Sequence, residues 1–140
     1  MSLVMCVGGF DPLHLGHIRH LRSARSMCRD NDKLVVIVSP DWACRRKGAS
    51  RPYFPAEQRR EAVSALSFVD SALVNDPLNA IRFLRPRLYV KGPECVGSKT
   101  PELIKEIDLV RELGGEIAYT DDSIYSSTGL MEKLLRDLGI

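Results

Sequence analysis

No apolar run in this 140-residue chain approaches the roughly 20 residues that a membrane-crossing helix needs. Its opening residues, MSLVMCVGGF, have neither the basic region nor the long apolar stretch of a secretory signal, so the expected location is the cytoplasm. The four cysteines, Cys6, Cys28, Cys44 and Cys95, form no C-x-x-C pair, which argues against a zinc site or a disulfide framework and leaves reduced thiols. Net charge is only +2. That is too little for nucleic-acid binding by bulk charge, which takes many clustered basic contacts to phosphates. Internal repeats, low-complexity segments and interdomain linkers are missing as well. The length suits one domain with a sizeable core, residues 1–140, better than two.

What the chain does contain is an alternation. Short β-rich apolar runs, LVMCV at 3–7, KLVVIV at 33–38, SALV at 71–74, RLYVK at 87–91 and EIAY at 116–119, have the continuous character of strands buried on both faces. Helical segments are predicted between and after them at 16–29, 56–67, 78–84, 101–113 and 127–138. Pro55, Pro77 and Pro101 stand where three of these begin, at the position where a missing N–H costs nothing. The pattern predicts an α/β fold: a Rossmann-like, doubly wound parallel sheet of about five strands with helices on both faces. Ligands of such sheets lie beyond the carboxyl ends of the strands, where strand order reverses.

Several unusual residues fall on that edge. Gly8 and Gly9 leave the first strand, where the lack of a Cβ lets backbone N–H groups approach a ligand. His14 and His17 flank Gly16 at a helix start, a place already favourable to phosphate. Helical period puts His17 with Leu21, Ala24 and Cys28 on the buried side, and it gives His20 no role beyond the surface. After the second strand, PDWACRRKGASRPY gathers Arg45, Arg46, Lys47 and Arg51 in a polar segment that reads as a flap over phosphates. Arg59 shares the inward stripe of Val63 and Leu66, so its charge requires an anionic partner, a ligand or an internal carboxylate, whereas Arg60 falls on the face of Ser64 and Ser67. Lys91 and Gly92 leave the fourth strand, with Glu94 close behind. Ser126, Ser127 and Thr128 precede the last helix without a capping-box partner.

The stretch GGFDPLHLGH resembles the first signature of the nucleotidyltransferase superfamily, G-x-F-D followed by H-x-G-H. SRPYFPAEQRREAVSALSFVDSALV, LRPRLYVKG and the late YSST are most similar to the adenylyltransferase domain of bacterial ADP-heptose synthase and close to glycerol-3-phosphate cytidylyltransferase. The resemblance implies transfer of a nucleoside monophosphate from a triphosphate to a phosphorylated sugar or polyol, heptose 1-phosphate-like, with release of pyrophosphate and no covalent enzyme intermediate. ATP is favoured over CTP, and Mg²⁺ arrives on the triphosphate with no metal ligands of the protein's own. The alternatives are a cytidylyltransferase acting on glycerol 3-phosphate or a related acceptor, and a nucleotide-binding module without turnover.

Residue by residue, the resemblance implies catalytic roles for His14, His17 and Lys47. It implies nucleotide contacts from Gly8, Gly9, Phe10, Asp11, Arg59, Lys91, Gly92, Ser126, Ser127 and Thr128. Arg45, Arg46 and Glu94 are further candidates for phosphate or acceptor contacts. The expected partners are the triphosphate and a small phosphorylated acceptor, with no nucleic acid and no membrane; monomer and homodimer both stay open.

Overall fold

In a computed structural model, which describes residues 2–121 and 127–140, five strands form one parallel sheet in the order β3-β2-β1-β4-β5. The strands are β1 (Ser2–Gly8), β2 (Asp32–Val38), β3 (Ser71–Val74), β4 (Leu88–Lys91) and β5 (Glu116–Tyr119). The helices are α1 (Leu15–Ser26), α2 (Asp41–Cys44), α3 (Ala56–Ser64), α4 (Pro77–Leu84), α5 (Pro101–Glu112) and α6 (Ser127–Asp137). From β1 the chain winds outward through β2 to β3, then returns to the other side of β1 for β4 and β5. Strand order therefore reverses between β1 and β4, which pair through Val4 with Leu88 and Met5 with Tyr89.

The pleat explains why the strands read as unbroken apolar runs. Successive side chains point to opposite faces, and both faces are covered. Val4 and Cys6 of β1, Leu34, Val36 and Val38 of β2, and Leu88 and Val90 of β4 form one core with Leu21 and Ala24 of α1 and Val63 of α3. Met5, Val35, Ile37 and Tyr89 form the other, against Ala80 and Ile81 of α4 and Val110 of α5. At about 1.5–3 kcal/mol for each fully buried large aliphatic side chain, these two layers hold the sheet edge in place. Among the described residues no helix is long and apolar enough to cross a membrane, and all four cysteines are unpaired.

The prolines act as helix starters. Pro77 and Pro101 occupy the first turns of α4 and α5, after Asp76 and Thr100, and Pro55 immediately precedes α3. The expected flap after β2 is more ordered than predicted: Asp41–Cys44 is a turn of α-helix and Arg45–Lys47 a turn of 3-10 helix. Another such turn, Pro93–Cys95, follows β4.

Candidate active site

At the reversal of strand order, β1 runs out into Gly8 and Gly9, and Phe10 turns back with a left-handed φ of 54°. Its ring lies over Gly8 so closely that a Cβ on that residue would stand 2.8 Å from Phe10 Cζ. Glycine at position 8 is thus required by packing. Gly9 has room for a Cβ, which would make ordinary contacts 3.5 Å from the Lys47 ammonium and 3.7 Å from Cys44 Sγ.

The two histidines form a cap built from imidazoles. The His14 Nδ1 accepts a hydrogen bond from the Gly16 N–H at 3.1 Å, and the His17 Nδ1 accepts one from the His14 N–H at 3.1 Å. This reciprocal pattern is the one usually made by Ser or Thr with Glu. The rings stack with centroids 3.8 Å apart, and Phe10 meets His17 edge-on at 5.0 Å. Because each Nδ1 accepts, each neutral ring carries its proton on Nε2. Burial pushes the His17 pKa down to about 3, with the nearby charges of His14, Lys47 and His20 acting in the same direction. Burial lowers that of His14 too. At neutral pH the pair is uncharged and His17 is a hydrogen-bond donor at Nε2.

Lys47 comes to this pair from the exposed 3-10 turn after α2. Arg45 and Arg46 are exposed beside it, and the Arg46 guanidinium stacks over Trp42 at 5.0 Å. Of the three cations, Lys47 is the one the structure brings against Gly9.

Asp11 and Arg59 are both held by partners within the protein. Asp11 is 1% exposed. Its carboxylate accepts from the Arg51 Nε at 2.7 Å, the Tyr53 N–H at 2.9 Å and the Phe54 N–H at 2.8 Å. Burial alone would raise its pKa, but the bonds from Tyr53, Arg51 and Phe54 outweigh that and hold it below the usual carboxylate value. Arg59 lies on the inward stripe as its spacing predicts, yet it donates from Nε to the Phe54 carbonyl, from Nη1 to the carbonyls of Gly9 and Ser39, and from Nη2 to Asp41 Oδ1, at 2.7–2.8 Å. The anion that its burial demands is therefore internal, Asp41, and the guanidinium ties the exits of β1 and β2 together. Arg60 pairs with Glu57 at the surface, as its face implies.

On the β4 side, Lys91 leans back on its own strand, donating to the Tyr89 hydroxyl at 3.3 Å, while that hydroxyl donates to Glu106 of α5. Gly92 is buried, and the Glu94 carboxylate folds onto it, 2.4–2.8 Å from where a Cβ would be. Thr128, in the first turn of α6, accepts from Arg51 Nη1 at 2.7 Å. Ser126 and the side chain of Ser127 lie outside the described residues. His20, expected as a plain surface residue, is half-buried, and its Nδ1 lies 3.0 Å from the hydroxyl of Thr120, which follows β5.

Sequence reasoning passed over Arg51 as one of several basic residues, although it is 4% exposed. It sits in an irregular segment, where no periodicity marks a side chain as inward. Asp41 was equally silent, since its role depends on a helix of four residues.

Comparison with known proteins gives this edge a lineage. The bifunctional protein HldE of Syntrophotalea carbinolica is 38% identical over 140 residues, covering 96% of this chain and 27% of that protein. HldE of Hyphomonas neptunium is 43% identical over 114 residues, covering 79% and 22%. The chain thus spans about a quarter of the length of these curated relatives. Among solved structures, a lipopolysaccharide core biosynthesis protein from Thermoplasma volcanium superposes with a TM-score of 0.69 at 27% identity, covering 90% of this chain and 99% of that one. The family model described as cytidylyltransferase-like matches residues 5–133. That match starts within β1 and ends within α6, taking in the whole edge where the histidines lie, and the chain belongs to the cytidylyltransferase-like family of nucleotidyltransferases.

Proposed function

We propose that the chain transfers AMP from ATP to a phosphorylated sugar or polyol, heptose 1-phosphate-like, and releases pyrophosphate. The observation that carries this reading is the pair of neutral, tautomer-fixed imidazoles beside Lys47 at the strand-order reversal. A phosphate oxygen of the acceptor attacks the α-phosphorus, and the bond from that phosphorus to the pyrophosphate oxygen breaks, with its electron pair leaving on pyrophosphate. Charge builds on phosphate oxygens throughout, so the protein's task is to place donors and positive charge where it builds. His17 donates a hydrogen bond from its Nε2–H, and the Lys47 ammonium adds positive charge beside Gly9. In this reading the Thr128 hydroxyl contacts the polyphosphate.

The side chains here are mainly donors. Among the described residues no three His, Cys, Asp or Glu side chains cluster in a way that would hold a metal, and the Asp11 carboxylate already has three donors. Mg²⁺ would be carried in by the triphosphate and would offset the charge on its phosphates. The likeness to a protein named for lipopolysaccharide core biosynthesis supports a sugar phosphate as acceptor. A second reading, CTP in place of ATP, draws support from the cytidylyltransferase-like match.

The test is to incubate the protein with each of the four common triphosphates, Mg²⁺ and a panel of sugar and polyol phosphates, and to measure pyrophosphate. Release is expected with ATP and only when an acceptor is present. Triphosphate hydrolysis without an acceptor, yielding no conjugate, refutes transfer; release with CTP alone selects the second reading.

A further inference from the structure

Arg51 is a buried guanidinium with three destinations. Its Nε donates to Asp11 Oδ2 at 2.7 Å, its Nη2 to the Asp11 carbonyl at 3.0 Å, and its Nη1 to Thr128 Oγ1 at 2.7 Å. One side chain ties its own segment, which precedes α3, to the turn after β1 and to the first turn of α6, 40 and 77 residues away in sequence. We propose that Arg51 is a positioning residue that presents the Thr128 hydroxyl to the nucleotide's polyphosphate as a hydrogen-bond donor. This rests on the proposed function, in which Thr128 contacts those phosphates.

The argument is one of donor accounting. A hydroxyl has one proton and two acceptor sites, whereas a guanidinium can only donate. With Arg51 filling one acceptor site, the Thr128 proton must point elsewhere, and a phosphate oxygen, which only accepts, fits it. A charge-assisted bond from Arg51 also polarises that hydroxyl and strengthens it as a donor. Arg51 itself is not the phosphate's counter-charge, because Asp11, 0% exposed at its side chain, already neutralises it at 2.7 Å. The fork geometry is what matters. A lysine could keep the ion pair with Asp11 but could not span to Thr128 at the same time.

The test uses calorimetric titration with a nonhydrolysable ATP analogue plus Mg²⁺, and separately with AMP. Thr128→Val is expected to weaken the analogue by roughly tenfold or more, the scale of a lost bond to a charged group, and to leave AMP binding unchanged. Thr128→Ser restores it. Arg51→Lys, checked for folding by thermal melt, should show the same split between the two nucleotides. The double variant should be no weaker than Thr128→Val alone, since both act through one bond. Unchanged analogue binding in Thr128→Val overturns the proposal even if Arg51→Lys fails to fold. Losses that add in the double variant, or equal losses for AMP and the analogue, overturn it too. A wild-type chain that binds AMP and the analogue equally refutes the polyphosphate contact, and one that binds neither refutes the function on which it rests.

Discussion

Replacing Arg59 with alanine tests whether this arginine serves the fold or the ligand. Arg59 is 2% exposed, and its guanidinium supplies four hydrogen bonds, three of them to the carbonyls of Gly9, Ser39 and Phe54. Truncation strands those carbonyls; the fourth partner, Asp41, is 40% exposed at its side chain and recovers by hydration. An unsatisfied buried acceptor costs about 1–3 kcal/mol, and water entering the vacated space returns part of that, so the net loss is about 3–5 kcal/mol. Such a loss is a large share of the about 5–15 kcal/mol that holds an ordinary domain together. At this chain length it lowers the melting midpoint by about 10 °C or more. Differential scanning calorimetry on Arg59→Ala and Arg60→Ala, paired with triphosphate titration, reads both effects. Arg60→Ala should melt with the wild type. If Arg59→Ala also melts with the wild type and loses only triphosphate affinity, the internal network is not what holds Arg59, and its place belongs to the ligand.

Further expectations attach to neighbouring residues. His17→Ala should cut turnover by roughly 10²-fold or more, the scale of losing a donor to a developing oxyanion, and unchanged steady-state rates would remove His17 from the mechanism. His17 should stay uncharged from pH 8 down to pH 5 in imidazole ¹⁵N spectra, since its pKa is lowered to about 3. Because the unfolded chain takes up that proton near the ordinary value of about 6.5 while the folded one does not, this residue makes stability fall as pH drops from about 6.5 toward 3. A His17 signal titrating near 6.5 would contradict the buried cap. Gly8→Ala should destabilise by about 1–3 kcal/mol, because the buried Phe10 ring has to move, while Gly9→Ala, which meets only ordinary contact distances, should melt close to the wild type; equal urea midpoints for the two would refute this.

The sequence made the sheet legible because strands buried on both faces are written as continuous apolar runs; β3 and β5 occupy the very residues so read. α2 and the 3-10 turns were illegible because three or four residues cannot display a helical period. The histidine pair was legible from spacing, since residues three apart at a helix start share a face, and burial of Leu21 and Ala24 follows the same stripe. Partners were harder. Helical period shows that Arg59 points inward and chemistry shows that it needs an anion, but Asp41 and the Gly9 carbonyl become its neighbours only through the sheet, the latter across 50 residues. The bond between His20 and Thr120, across 100 residues, was invisible for the same reason.

The hold of Arg59 on the Gly9 carbonyl reaches beyond mechanical support. That carbonyl and the N–H of Phe10 belong to one conjugated peptide unit, so a cation bonded to the oxygen draws electron density from the nitrogen and makes the N–H more acidic. Arg59 thereby acts as a remote inductive substituent on the backbone at the edge where the nucleotide is proposed to lie. Neutral replacements that preserved every atomic position would still leave a weaker donor there, which gives this edge an electronic reason, alongside the steric one, to keep a positive charge buried behind it.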